Sequence, residues 1–385
     1  MIKSTKFVIV LLAVLTFSIG CTPKKTENNQ TTVREDKIKV GIFNRNGDSP
    51  FCIIDAEEAL RIDEEIETEV IGAAVIMSER INEFDVLLFP GGGGKSETNS
   101  LGELGMQRVR DFVQKDGKGV LGICAGAYIL SDTKNYPDLM LSGATAIDLE
   151  NDHRGNGLVK FSLTKEGKEI FPELKDYEIA YCQYYEGPVT IPSENKEIAY
   201  TELATMLSDV HLIEGTPENM TNNRPFIHMN ENEQGRTASF IGHPETTPGM
   251  RWMIPRMVRW VSKNELVSYN DKVVRPGIHK NEILFDAELR AEQSKLLYTD
   301  LFGSSEEKNH AIKRLVEINA WSARKKIPGL LRDSDKDVRL TAAKACVALE
   351  RTDVIYDLEI AIQNEPDPIV KAEMKKLVQQ LQEMI

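Results

Sequence analysis

Cys124 stands in the run Gly122-Ile123-Cys124-Ala125-Gly126. The apolar stretch 119–123 reads as a buried strand, and the spacing over 125–130 reads as a helix leaving it. Small residues on both sides of a reactive side chain permit strained backbone angles and close packing, as a nucleophile elbow requires. An elbow of this kind sets the thiol at a helix N-terminus, where the partial positive charge favours the reactive thiolate. A thiol nucleophile needs a base and a group that orients the base. Gly242-His243-Pro244-Glu245 offers both, with His243 to take the proton and Glu245 to hold the ring. Acyl transfer also needs N–H donors aimed at the oxygen that becomes charged. The Ala125 amide is one candidate, and Gly92 or Gly93 in the Gly91-Gly92-Gly93-Gly94 run is another. Many cysteines are simply buried, but burial gives no reason for glycines around Cys124.

These residues must be carried by a framework. Residues 37–43 (KIKVGIF) and 85–90 (DVLLFP) read as two further strands, the second leading into the glycine run. Residues 101–114 have helical spacing of apolar side chains. Strands alternating with helices predict an α/β fold with a parallel sheet covered on both faces. Short strand-like pieces at 177–185, 197–202, 210–213 and 237–241 predict antiparallel additions at the sheet edge, and 253–261 resumes a helix. In the last hundred residues Asp335 and Asp367, Val338 and Val370, and Ala311 and Ala343 recur 32 positions apart. A fixed period of helical units predicts a solenoid in which each unit hides its apolar face against the next.

The order Pro90-Gly91-Gly92, Gly122-Ile123-Cys124-Ala125-Gly126 and Gly242-His243-Pro244-Glu245 resembles that of class I glutamine amidotransferases. More narrowly, Gly122 to Tyr128 (GICAGAY), followed by Tyr184-Tyr185-Glu186-Gly187-Pro188, resembles the amidotransferase-like N-terminal domain of biotin–protein ligases and its stand-alone bacterial relatives. The resemblance covers roughly residues 37–263. It implies a flavodoxin-like sheet and a Cys124, His243, Glu245 triad. It makes Tyr128, Tyr184 and Tyr185 candidate pocket residues, although the Glu186-Gly187-Pro188 stretch departs from the family's Asn-Gly-Gly. The stretch 327–349 resembles a HEAT-like repeat. The ligase half is missing, since Gly235-Arg236-Thr237 is all that approaches its nucleotide motif, and no phosphate-cradling GxxxxGK[ST] loop occurs. Relatives of intracellular protease I place histidine directly after the cysteine, where this chain has Ala125.

The 385 residues suggest more than one core. A formal net charge of -13 argues against nucleic acid as a partner. Lys3 and Lys6 followed by the apolar run 7–17 read as a signal peptide too short to span a bilayer. Ser18-Ile19-Gly20-Cys21 resembles a lipobox, with Ser18 where leucine is usual, and implies lipid on Cys21. The expected layout is a signal peptide and lipidated cysteine over 1–21, a flexible linker over 22–36, an amidotransferase-like domain over 37–265 and HEAT-like repeats over 285–385. The expected location is the cell envelope outside the cytoplasm, with lipid as the membrane anchor and the repeats as a docking surface for a protein partner. The spacing of Cys52, Cys124, Cys182 and Cys346 forms no zinc pattern and leaves disulfides open. The expected function is a thiol-dependent hydrolase or acyl transferase on an amide or peptide-like bond, without metal or organic cofactor. The alternative is an inert envelope module that binds a ligand or protein.

Overall fold

The computed structural model describes residues 37–195, 197–232 and 234–385. The expected signal peptide, Cys21 and the linker lie outside the described residues. The strands are β1 (Ile38–Phe43), β2 (Ile66–Ile71), β3 (Val86–Phe89), β4 (Gly119–Ile123), β5 (Ala144–Ala146), β6 (Asn156–Leu163), β7 (Ala180–Tyr185), β8 (Thr190–Pro192), β9 (Thr201–Met206), β10 (Arg224–Glu231), β11 (Arg236–Phe240) and β12 (Ile283–Leu284). Around the sheet lie helices α1 (Pro50–Leu60), α2 (Ala73–Ile76), α3 (Gly94–Gln114), α4 (Ala125–Leu130), α5 (Lys165–Ile170) and α6 (Met253–Val261).

Strands β2-β1-β3-β4-β11 run parallel in that order, the flavodoxin-like arrangement. Every residue of β3 (VLLF) and β4 (GVLGI) is buried, because helices cover both faces. Helices α1 and α6 pack on one face and α3 on the other. Beyond β11 the sheet continues antiparallel through β10, β9 and β6, and β6 also pairs with β7 and β12. The register sets Phe89 beside Gly122 and Ile123 beside Phe240. The carboxyl ends of β3, β4 and β11 therefore lie side by side, and the chain segments that leave them carry Gly91–Gly94, Cys124 and His243. Ligands of open α/β sheets bind at that edge.

Some elements differ from the expectation. Residues 210–213 form no strand; the Val210 N–H donates to Thr221 Oγ1 at 2.7 Å and the Leu212 N–H to the Arg154 carbonyl at 2.9 Å, outside any ladder. The expected strand at 197–202 begins later, at Thr201. Helix α3 starts at Gly94 and absorbs a break at Gly102, whose φ of 62° and ψ of 178° are not helical.

The remaining helices are α7 (Ala287–Tyr298), α8 (Ser305–Glu317), α9 (Ala323–Lys326), α10 (Lys336–Ala348), α11 (Ile355–Asn364) and α12 (Pro368–Gln382). The 32-residue period has a local cause. Asp335 caps α10 by accepting from the Asp337 and Val338 N–H groups, and Asp367 caps α12 by accepting from Ile369 and Val370. The helices are not a detached tail: one apolar core runs from Ile38 of β1 to Met384. Charged groups reinforce the junction. Arg324 Nη2 reaches Asp55 Oδ1 of α1 at 2.5 Å, with both side chains buried. Burial pushes the Asp55 pKa up to about 6 against the pull of Arg324 and Arg351. Arg251 Nη1 donates to the Glu350 carbonyl at 2.7 Å, and the Gly249 N–H donates to Glu350 Oε1 at 2.8 Å.

Removing one partner of a buried ion pair strands the other. Arg324→Ala is expected to lower stability by about 3 kcal/mol in urea denaturation. The double variant Asp55→Asn/Arg324→Met is expected to recover at least half of that loss. Equal stability of Arg324→Ala and the parent would show that this pair does not hold the junction.

Candidate active site

Cys124 occupies the turn between β4 and α4 with φ 51° and ψ -102°, a strained conformation for any residue but glycine. Its N–H is tied to the Phe240 carbonyl of β11 at 2.8 Å, and the Tyr128 N–H donates to its carbonyl at 3.1 Å. The elbow tolerates no bulk nearby: a Cβ on Gly126 would lie 2.1 Å from the Phe89 carbonyl oxygen. Helix α4 has only six residues. Its dipole is short, and the charged partner of the thiol is instead His243.

His243 follows β11 on a braced loop. Its N–H donates to the Gln183 carbonyl at 2.7 Å, and its carbonyl accepts from Thr247 Oγ1 at 2.8 Å. The ring Nδ1 meets Glu245 Oε1 at 2.7 Å, both groups being buried, and His243 lines the same cavity as Cys124. Glu245 Oε2 is buried with no partner among the described residues, so its contact is with His243 alone. Burial by itself pulls the His243 pKa down. The charges of Glu245 and Cys124 and the hydrogen bond to Glu245 outweigh it and hold it at about 10. Gly91 makes room for the ring, since a Cβ there would lie 2.6 Å from His243 Cε1.

The candidate oxyanion donors separate. The Gly93 N–H is already spent on the Asn46 carbonyl at 2.8 Å, which removes Gly93 from the expected set. Gly92 has φ 137°, and a Cβ there would strike the Asn46 carbonyl oxygen at 2.2 Å. Gly92 and Ala125 line the cavity with Cys124. The candidate pocket residues separate too. Tyr128 and Tyr185 line the cavity, and the Tyr185 carbonyl accepts from the Cys124 thiol at 3.4 Å. Tyr184 points the other way, as alternation along β7 demands, and its hydroxyl donates to the Gly187 carbonyl at 2.8 Å. Tyr184 thus braces the turn and is not a pocket wall. His153, an exposed loop residue, lies at the cavity rim with Nδ1 3.1 Å from Glu186 Oε2.

Cys52, Cys124, Cys182 and Cys346 are all free and buried. Burial raises the Cys52 and Cys182 thiols, which keeps them protonated. Among the described residues no group of three His, Cys, Asp or Glu side chains is placed to hold a metal.

The cavity encloses about 440 Å³. Motif reading did not find one of its walls. Trp321, Ser322 and Lys325 come from the segment between α8 and the end of α9. The Trp321 ring meets the His243 ring edge-on, with centroids 4.7 Å apart at 79°, and contacts Tyr185 at 5.7 Å. Asn319 Nδ2 donates to Gln183 Oε1 at 2.9 Å and fixes the turn that presents Trp321. No local pattern marks these residues; only the tertiary packing brings them to His243. Phe51 and Cys52 of α1 and Lys95 of α3 complete the lining.

Known proteins share parts of this architecture. Residues 38–138 match the family model described as biotin-protein ligase, N terminal, and residues 303–377 match that of HEAT repeats. A pyridoxal 5'-phosphate synthase subunit PdxT from Koribacter versatilis is 32% identical over 101 residues, 26% of this chain. The match spans 52% of that relative, about half its length. Among solved structures, a ThuA-like protein from Parabacteroides merdae covers 61% of this chain and 93% of its own at 11% identity and TM-score 0.44. The glutaminase domain of Trypanosoma brucei CTPS covers 60% and 96% at 12% identity and TM-score 0.40. A glutamine amidotransferase from Thermotoga maritima covers 59% and 89% at 12% identity and TM-score 0.35. The chain thus joins an α/β fold, of which residues 38–138 match the biotin-protein ligase N-terminal model, to a helical region of which residues 303–377 match the HEAT-repeat model.

Proposed function

We propose that this chain is a thiol-dependent hydrolase or acyl transferase acting on an amide or peptide-like bond. The single observation that carries this reading is Cys124 at a strained elbow in the same cavity as His243, whose ring is hydrogen-bonded to Glu245. The Cys124 sulfur attacks the carbonyl carbon, and the oxygen takes the negative charge toward the amides of Gly92 and Ala125. The C–N bond breaks as His243 hands its proton to the leaving amine. Water, or an amine in its place, then gives a proton to His243 and attacks the thioester carbon, and the C–S bond breaks to release the acid or the new amide and return the Cys124 thiolate. Glu245 keeps the ring oriented throughout. All described cysteines are free, so no disulfide blocks the nucleophile.

Iodoacetamide alkylation, read by mass spectrometry of the Cys124 peptide, tests this without a known substrate. Cys124 is expected to react faster than N-acetylcysteine below about pH 8. His243→Gln is expected to slow it by roughly tenfold or more. A rate equal to that of the free thiol overturns the reading.

The His243 pKa also carries a stability signature. The folded value of about 10 lies above the ordinary 6.5, so its proton contributes stability that is fully present below pH 6.5 and is lost as the pH rises through about 10. The Tm advantage of the parent over His243→Gln is expected to shrink across that window. A difference independent of pH would place the imidazolium outside the buried network.

The reading includes a place of action. The Ser18-Ile19-Gly20-Cys21 run supports export and lipid attachment at Cys21, which sets the chemistry in the cell envelope. Growth with a labelled fatty acid is expected to label the parent and not Cys21→Ala, and equal labelling would exclude Cys21 as the anchor.

A further inference from the structure

The cavity over Cys124 holds two lysines, Lys95 and Lys325. Some lysines elsewhere pair with acids, as in Lys118–Asp85 at 3.1 Å, Lys308–Asp333 at 2.7 Å and Lys336–Asp367 at 2.8 Å. Among the described residues neither Lys95 nor Lys325 has a carboxylate within ion-pair distance, although the chain carries 60 acidic residues against 47 basic ones. Both ammonium groups rest on aromatic faces instead. Lys325 Nζ lies 4.9 Å from the Phe51 ring centroid, and Lys95 Nζ lies 6.0 Å from that of Tyr136. A ring face positions a cation without neutralising it. The acids of the same cavity are already engaged. Glu186 Oε2 meets His153 Nδ1 at 3.1 Å, and Asp152 Oδ1 lies 3.9 Å from His153 Nε2. The Glu186 hydrogen bond and the charges of Glu186 and Asp152 raise the His153 pKa, and a protonated His153 offsets one of the two carboxylate charges, leaving this wall one negative charge against the two lysines. The two lysines are left to draw an anion toward Cys124 and come from opposite parts of the chain. Lys95 follows the glycine run at the start of α3, and Lys325 belongs to α9 of the helical region.

We infer that the site selects acyl donors carrying an anionic group, held by Lys95 and Lys325, and that the helical region therefore supplies part of the substrate recognition. This inference rests on the reading of Cys124 as the nucleophile.

Two alkylating reagents of nearly equal size separate the two ideas. Iodoacetate is an anion and iodoacetamide is neutral; with either, the thiolate forms a C–S bond and iodide leaves. The ratio of their rates at Cys124 divides out changes in thiolate reactivity and reports the local potential. Relative to N-acetylcysteine, the ratio is expected to be about fivefold higher in the intact protein at low ionic strength and to fall toward parity in molar salt. Lys325→Glu and Lys95→Glu are each expected to lower it, and Lys325→Arg to keep it high. Lys336→Glu, remote from the cavity, controls for net charge and is expected to leave the ratio unchanged. A ratio equal to that of N-acetylcysteine, or one indifferent to both lysines, overturns the inference. Slow reaction with iodoacetamide alone counts against the nucleophile reading, and the ratio still decides the anionic preference.

Discussion

Much of the molecule serves to hold one contact, the 2.7 Å bond between a buried imidazole and a buried carboxylate at His243 and Glu245. Such a pair persists where the geometry around it cannot relax, and here it does so although Glu245 Oε2 has no partner among the described residues. The sheet anchors one end of the loop through Gln183, and Thr247 fastens the other. Gly91 supplies the space. The helical region closes the far side, with Trp321 against the ring and Arg324 reaching the Thr246 carbonyl at 3.4 Å. The thiol then needs only to be delivered to the free side of the imidazole. The register of β3, β4 and β11 does that by bringing three distant segments to one edge.

The parallel sheet and the site core were legible because each leaves a local trace. Buried central strands read as unbroken apolar runs, and an elbow reads as a reactive residue between small ones. The helical period was legible because capping aspartates repeat with the helices. What could not be read depends on tertiary geometry. Nothing near Gly93 says that its N–H is spent on Asn46, a residue of the loop after β1. Tyr184 and Tyr185 look alike in the chain, and only the phase of β7 sends one inward to brace the turn and the other to the cavity. Trp321 lies far along the chain from the motifs and reaches His243 only through the fold. The strand reading of 210–213 failed for a related reason: β-branched and apolar residues there pack, but their N–H groups bond elsewhere.

The helical region changes meaning in this light. Repeat arrays present surfaces to partners, and the chain alone suggested that use. Here one face of the array is spent inward, on α1, the His243 loop and the cavity. The edge of the parallel sheet brings Cys124 and the His243–Glu245 pair together. In this chain the wall opposite that edge is donated by a different kind of structure, so the character of the pocket is not set by the α/β part alone.

The continuous core has a consequence for how the molecule moves. Helical arrays are quasi-one-dimensional, so each unit moves chiefly with its neighbours. Here α12 packs on α10 and α11 and its C-cap Glu383 pairs with Lys272 at 3.0 Å, while the turn before α9 and α9 itself are pinned to the His243 loop by Asn319, Trp321 and Arg324. A displacement within α10 to α12 therefore has a packed route to the His243 ring, and the repeats and the cavity share one mechanical unit.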